Sequence, residues 1–193
     1  MVSVTKKAKL EVSFKFRSGH RALDLTATVS GRKRNAPSDS LKSATDLGRW
    51  IRAAGLGETK PDDSDLALAR SLREAIYGLV AARVRGLKLP KSERLTLNAI
   101  AAGQGPFISL SNDGVATTFG SVRQLLTGLA LEALLLIGGE NSSRLRQCEG
   151  ESCAILFLDE SRTGERRWCS MASCGNRAKV RSFRERSQVK RRR

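Results

Sequence analysis

Four cysteines within one short segment constrain this chain more than any other feature of its sequence. Cys148 and Cys153 form one pair, Cys169 and Cys174 form a second pair with the same spacing, and residues 154–168 lie between the pairs. Two close pairs joined by a short insert allow four thiolates to converge on one tetrahedral metal ion. The spacing therefore predicts a single Zn²⁺ held by all four cysteines. Four thiolates leave no position for water, so the ion would be structural.

Other uses of four cysteines fit this segment less well. Redox pairs usually have the form C-x-x-C beside a βαβ unit, and neither pair has that form. Four buried thiols acting as small apolar groups, or an iron–sulfur cluster, are the remaining alternatives. The N-terminus has no signal-peptide pattern, so we expect a cytoplasmic chain, nucleoid-associated if it binds DNA, whose thiols stay reduced.

The residues around the cysteines predict a treble-clef-like fold. Residues 154–159 fit a strand, Gly164 lies in a turn, and residues 166–169 fit a return strand. After the last cysteine, Gly175 would permit a sharp turn and Asn176 would cap a helix. So small a module buries little apolar surface by itself, and we expect metal binding to supply much of its folding energy.

The predicted zinc segment also carries a large excess of positive charge. The chain has a net charge of +16, and the residues from Arg144 onward contribute half of it. Such an excess predicts an anionic partner, with double-stranded DNA as the leading candidate. A membrane surface fits less well because the tail lacks aromatic and leucine anchors, and the most apolar run, Leu125–Gly139, is too short to span a bilayer.

Six cations of this segment are predicted to contact nucleic acid, namely Arg166, Arg167, Arg177, Lys179, Arg181 and Arg184. Helical spacing places Arg177, Arg181 and Arg184 on one side of a helix. A rigid helix with a cationic stripe neutralises phosphates and fits the major groove. The alternative interpretation is a solvated basic face with no partner.

The predicted fold class is α+β: a mainly helical N-terminal domain with a small antiparallel β element, followed by the four-cysteine finger. Helices are predicted over residues 44–54, 61–86, 91–101 and 122–137, a hairpin over 106–120, a strand over 9–16, and a strand or short helix over 22–31. The helix over 122–137 is apolar on nearly all sides and should form the centre of the domain. The predicted segments are a helical domain over 1–140, a finger over 141–187 and a disordered basic tail over 188–193.

The sequence predicts a binding protein rather than an enzyme. Metalloprotease, hydrolase-elbow, P-loop and dinucleotide-binding motifs do not occur, and His20 is the single histidine, so no catalytic residue is predicted. A DNA-binding regulator is the first hypothesis. The alternatives are an RNA-binding protein that uses the same basic surface, and a protein-interaction module in which zinc is purely structural. The N-terminal domain would sense a small-molecule effector or form a homodimer.

The same residues resemble a known combination of domains. The tetrapeptide from Cys174 to Arg177 reads "CGNR", and "RLRQC" and "LFLDESRTGERRWCSMASCGNRAKV" extend its similarity to the CGNR zinc finger. Upstream, "GHRALDLTATVSGRK", "DLGRWIRAAGL" and "LREAIYGLV" resemble the ABATE domain that commonly precedes this finger. The resemblance implies a bacterial stress-induced transcription regulator whose finger binds DNA. It also implies that all four cysteines are zinc ligands.

Overall fold

The computed structural model describes the backbone from residue 14 to residue 191 and the side chains as far as residue 188. This part of the chain forms six α-helices and three pairs of short antiparallel strands. In chain order the elements are α1 Arg21–Thr26, β1 Val29–Ser30, β2 Ser38–Asp39, α2 Ala44–Ala53, α3 Asp63–Val84, α4 Lys91–Ala101, β3 Phe107–Leu110, β4 Ala116–Phe119, α5 Val122–Gly138, β5 Leu145–Gln147, β6 Leu156–Leu158 and α6 Asn176–Arg191. The structure is thus α+β and mainly helical, as the sequence predicts.

Side-chain caps fix where three of the helices begin. Ser43, Asp62 and Ser121 precede α2, α3 and α5, and each accepts a hydrogen bond from the backbone N–H three residues later. In each case the side chain at that third position also accepts from the backbone N–H of the capping residue. These reciprocal bonds satisfy amide groups that a helix start would otherwise leave unpaired. The cap predicted at Ser43 is confirmed.

The helical core is built around α3 and α5, which contact each other and both contact α4. Trp50 of α2 is fully buried in this core, beside leucines and isoleucines of α1, α3 and α5. The prediction that α5 forms the centre of the domain is confirmed for most of its length. Leu131 and Leu135 are the exceptions, because both side chains face outward.

The N-terminal end of the described chain differs from its prediction. The strand predicted over 9–16 lies mostly outside the described residues, and Phe14 and Phe16 are not in a strand. Phe16 stacks instead on Trp50, with 6.3 Å between ring centroids. Residues 22–31 contain both predicted alternatives, since the short helix α1 is followed directly by β1. His20 caps α1 by accepting a hydrogen bond from the N–H of Ala22.

The finger and the helical domain share one core. Leu145 of β5 and both Leu156 and Leu158 of β6 are buried in the same apolar cluster as the helices. The N–H of Leu158 also donates to the carbonyl of Ser18 at 2.7 Å. The first half of the finger is therefore attached to the domain that precedes it. Within residues 14–191, no helix combines the length and the apolar character that a bilayer span requires.

Candidate metal centre and cationic helix

The four cysteines converge on one point. Their Sγ atoms all lie within 4.8 Å of one another, with Cys153 to Cys169 at 3.8 Å and Cys169 to Cys174 at 3.7 Å. A regular tetrahedron of sulfurs about 2.3 Å from a central Zn²⁺ has edges of about 3.8 Å. Cys148, Cys169 and Cys174 are buried, and Cys153 is half-buried. The cluster thus has the composition and the size of a structural zinc site.

The electrostatics of the cluster also call for a cation. Hydrogen bonds from Cys153 and Cys169 lower the pKa of Cys148 far below its usual value. The contact with Cys148 raises the pKa of Cys153 to about 11, and the same kind of contact raises the pKa of Cys169. One thiolate therefore opposes the ionisation of its neighbours. A positive ion at the centre of the cluster would relieve this repulsion between thiolates.

The first cysteine pair lies in the loop that connects β5 to β6. Leu145 pairs with Leu158 and Gln147 pairs with Leu156, so Cys148 leaves β5 directly into the loop that carries Cys153. This loop includes Gly150, where a Cβ would lie 3.3 Å from the Cys174 sulfur. A side chain at this position would crowd the sulfurs, which a glycine avoids.

The pairing of this hairpin corrects the sequence prediction. Residues 156–158 form a strand as expected, but their partner is β5 upstream, and residues 166–169 are not in a strand. Burial explains the choice. Strand β6 is buried along its whole length, and Leu145 offers an apolar partner that the basic pair Arg166-Arg167 does not.

Asp159 organises the return of the chain toward the second cysteine pair. Its buried carboxylate accepts hydrogen bonds from the N–H of Ser161 at 3.0 Å and the N–H of Arg166 at 2.8 Å. Burial opposes ionisation, but these bonds outweigh it and lower the pKa of Asp159. This role of Asp159 was not predicted from the sequence. Its signal was an Asp two positions before a Ser, the pattern of a turn in which the carboxylate binds the backbone.

Arg166 acts within the protein and not at its surface. Its guanidinium donates to the carbonyls of Trp168, Cys169 and Arg17, the second at 2.6 Å, and lies 4.6 Å above the ring of Phe157. These donors are committed to the loop that carries the second cysteine pair. Arg166 thus has a structural role, and its contact with nucleic acid stays a prediction.

Arg167 has the opposite orientation. Its side chain is exposed, pairs with Glu149 at 2.6 Å, and lies over the half-buried ring of Trp168. The backbone also links the two knuckles, since the N–H of Glu149 donates to the carbonyl of Arg167. Of these two consecutive arginines, Arg166 therefore stabilises the loop through hydrogen bonds to its carbonyls, whereas Arg167 is exposed at the surface.

The last cysteine leads into α6 without the sharp turn that the sequence predicts. Residues Met171–Gly175 form a wide π-helical turn that continues into α6, so Cys174 is already helical. Gly175 has no positive φ. A Cβ there would lie 2.7 Å from the sulfur of Met171, whose flexible and exposed side chain would have to move. Asn176 is the first residue of α6 and not its cap, because the helical turn before it already uses the backbone amides.

The cations of the predicted stripe differ in the partners that they contact. Arg177 donates to the sulfur of Cys174 at 3.1 Å, which raises its own pKa and brings positive charge to the cluster. Arg181 pairs with Glu151 at 2.8 Å and approaches Glu185 at 3.5 Å. Lys179 and Arg184 are exposed, and neither has an acidic partner within residues 14–188.

The helix also continues to Arg191, so residues 188–191 of the predicted disordered tail are helical.

Two arginines from the N-terminal segment reach the cysteine knuckles. Arg17 donates to the hydroxyl of Ser173 at 3.0 Å, and Arg34 donates to the hydroxyl of Ser152 at 3.3 Å. No local pattern predicts these contacts, because they join residues that are far apart along the chain. They attach both knuckles to the preceding domain.

Comparison with known families agrees with this arrangement. Residues 19–140 match the ABATE family, described as "Putative stress-induced transcription regulator", and residues 144–187 match the CGNR zinc finger. Both are regulator or zinc-finger families rather than enzyme families. No curated protein matches the chain. Because the ABATE match covers more than half of the sequence, the chain belongs to the ABATE family and ends in a CGNR zinc finger.

Proposed function

We propose that this chain is a zinc-dependent transcription regulator that binds duplex DNA through α6. The observation that carries the proposal is the position of α6, which leaves the cysteine cluster with its side chains mostly exposed. Its sequence has seven Lys and Arg against the single acid Glu185. A rod of about 24 Å, at 1.5 Å per residue, is long enough to lie in a major groove.

Exposure and ion pairing support a choice among the cations that would meet the phosphates. Lys179, Arg184 and Arg186 are exposed and unpaired within residues 14–188. Arg181 and Arg167 are in surface ion pairs, which are worth at most about 1 kcal/mol, so phosphates can displace their acids. We therefore assign the DNA contact to these five residues. Arg177 is directed to Cys174 and would support the metal centre.

Zinc would act by fixing the base of α6. Cys148, Cys153, Cys169 and Cys174 would hold a single ion, whose charge stabilises four thiolates side by side. Cys174 belongs to the helical turn that begins α6, whereas Cys148 follows β5 in the shared core. A link between these two cysteines sets the direction of the helix relative to the ABATE domain. A signal received by that domain would reach the DNA through the same link.

A second candidate function is docking of α6 onto another protein. Val180 and Phe183 are exposed and three residues apart, so they share one face of the helix. An RNA partner has less support, since readout of single strands uses several stacking aromatics. Phe183 is an exposed ring on α6, but Trp168 is half-buried below Arg167. Salt dependence separates nucleic-acid binding from protein docking, because binding to phosphates releases condensed counterions.

The test is selection of bound duplexes from a random DNA pool, followed by affinity measurements on the selected sequence at several salt concentrations. Five phosphate contacts predict that log K falls with log salt at a slope of about −4 to −5. Arg184→Ala should weaken binding severalfold at low salt and make the slope shallower by about 1. Arg94→Ala is the matched control, because Arg94 is exposed on α4, far along the chain from α6.

Single-stranded DNA and RNA of the selected sequence are measured beside the duplex. Equal or tighter binding of a single strand would contradict duplex recognition. A slope near zero, or an equal loss of affinity in the Arg184→Ala and Arg94→Ala variants, would contradict the assignment to α6. Protein-docking by Val180 and Phe183 would then be the better account.

A further inference from the structure

The hairpin of β3 and β4 is exposed although its residues are apolar. All four residues of β3 face solvent, and Ile108 and Leu110 each keep 72 % of their surface exposed. Phe107 and Phe119 stack on each other across the strands with 5.8 Å between ring centroids, and both are about half exposed. An isolated two-stranded hairpin is only marginally stable in water, and its outer edges offer unpaired backbone groups. This surface has the properties of an interface.

The apolar surface is large enough for a stable contact. We define the hairpin patch as Phe107, Ile108, Leu110, Val115, Phe119 and the adjoining Leu131 of α5, which lies against Gly105. These six residues expose on the order of 700 Å², compared with about 800 Å² per partner in a standard interface. The largest apolar patch of an ordinary monomer is about 300–600 Å². Side chains alternate along the strands, so Ile108 and Leu110 lie on one face of the hairpin and Phe107 and Phe119 on the other, and only a partner that covers both faces meets this whole area.

Charge identifies the occupant. The chain has 35 Lys and Arg, yet Arg123 is the single cation between Arg94 and Arg144, a segment that also holds Asp113, Glu132 and Glu140. Two copies of a chain with net charge +16 repel each other, so an interface between them is favoured where cations are few. The hairpin patch lies in such a stretch of the sequence.

We propose that the hairpin patch joins two copies of this chain in a symmetric dimer. Ile108 and Leu110 lie on one face of the hairpin and would meet the same residues of a second copy, as a two-fold axis requires. The two α6 helices, on a different part of the sequence and strongly cationic, would stay free. The dimer does not depend on DNA binding, and its test contains no DNA.

The test measures mass by light scattering and sedimentation equilibrium at micromolar protein concentration. The wild type should have the mass of two chains. The double variant Ile108→Lys, Leu110→Lys should have the mass of one chain, since it places four lysines at the two-fold axis. Leu87→Lys is the matched control, because Leu87 is also exposed but lies outside the patch, and it should remain a dimer.

Hydrogen exchange gives a second reading that needs no variant. The amides of residues 107–119 should exchange more slowly as protein concentration rises, because dimerisation covers the hairpin. A wild type with the mass of one chain at all concentrations, or a double variant that stays dimeric, would overturn the proposal. Loss of DNA binding in a variant that remains dimeric would instead concern the proposed function.

Discussion

The two halves of the finger are held in different ways. The first half, strands β5 and β6, is part of the main apolar core, where Leu145, Leu156 and Leu158 pack with the helices. The second half, from the turn after Asp159 to α6, has few such contacts. Hydrogen bonds of Asp159 and Arg166 hold it, together with the cysteine cluster. The first half would keep its place without metal, and the second half would not.

This difference changes the role expected for zinc. A finger that folds alone would depend on metal for its whole structure, which is what the small size of the segment suggests. Here the hairpin already has a core to join, so the proposed ion would mainly position α6. Metal would therefore control the direction of a helix more than the folding of the chain, and such a control is well suited to regulation.

The largest effect on the second half without touching a cysteine should come from Arg166→Ala. The change removes donors to the carbonyls of Trp168, Cys169 and Arg17, and we expect a loss of about 2–3 kcal/mol of stability. Support for the cluster is also weakened, so zinc affinity should fall by about 10- to 100-fold. Urea unfolding and competition with a chromogenic chelator measure the two losses.

The neighbouring variant Arg167→Ala is the control. Its exposed pair with Glu149 contributes at most about 1 kcal/mol, and zinc affinity should stay unchanged. DNA binding should lose about one unit of salt slope. If both variants unfold alike, the division of labour between these arginines is wrong.

Substitution of two buried aspartates, Asp159 in the finger and Asp24 in α1, should have smaller effects on the free energy of unfolding. Both carboxylate oxygens of Asp159 accept backbone N–H groups, so Asp159→Asn would set an amide donor against one of them and cost about 1–3 kcal/mol. Asp24 in α1 receives all its hydrogen bonds at Oδ1, from Arg17 and Ser18. Asn can accept the same bonds without the cost of a buried charge, so Asp24→Asn should leave the free energy of unfolding unchanged or raise it at pH 7.

Their pH dependences have opposite signs. The pKa of Asp159 is lowered in the fold, so its stabilisation is present above the unfolded value of 3.8 and is lost as pH falls below it. Burial raises the pKa of Asp24, so ionisation of Asp24 costs stability as pH rises above 3.8. Denaturation of each Asn variant and the wild type between pH 3 and pH 7, as roughly the range where carboxylates titrate, tests both signs. Parallel curves would contradict this account.

Local patterns in the sequence were sufficient to predict most of the helices. The cap at Ser43, the helix over 91–101 and the buried α5 depend on residues close together along the chain, and the structure bears them out. The partner of β6 depends instead on which neighbouring segment can pack an apolar side chain into the core. The sequence pattern favoured residues 166–169 as the partner, whereas burial of Leu145 against the helices makes β5 the partner.

The metal centre shows the same limit. Cysteine spacing is sufficient to bring four sulfurs together, because each pair lies on one tight loop. The roles of the arginines could not be predicted in this way. Helical spacing cannot show that Arg177 donates to Cys174 or that Arg181 pairs with Glu151. Those contacts depend on how the first knuckle lies against α6, which is set by tertiary packing.

Hydrogen exchange with and without a chelator tests the central claim most directly. Zinc content is measured first, and one ion per chain is expected. After chelation, amides of α3, α5 and the β5–β6 hairpin should keep most of their protection, while amides from residue 166 to the end of α6 should exchange rapidly. Loss of protection in β5 and β6 together with α6 would show a finger that folds as one unit on its metal, and would contradict the account.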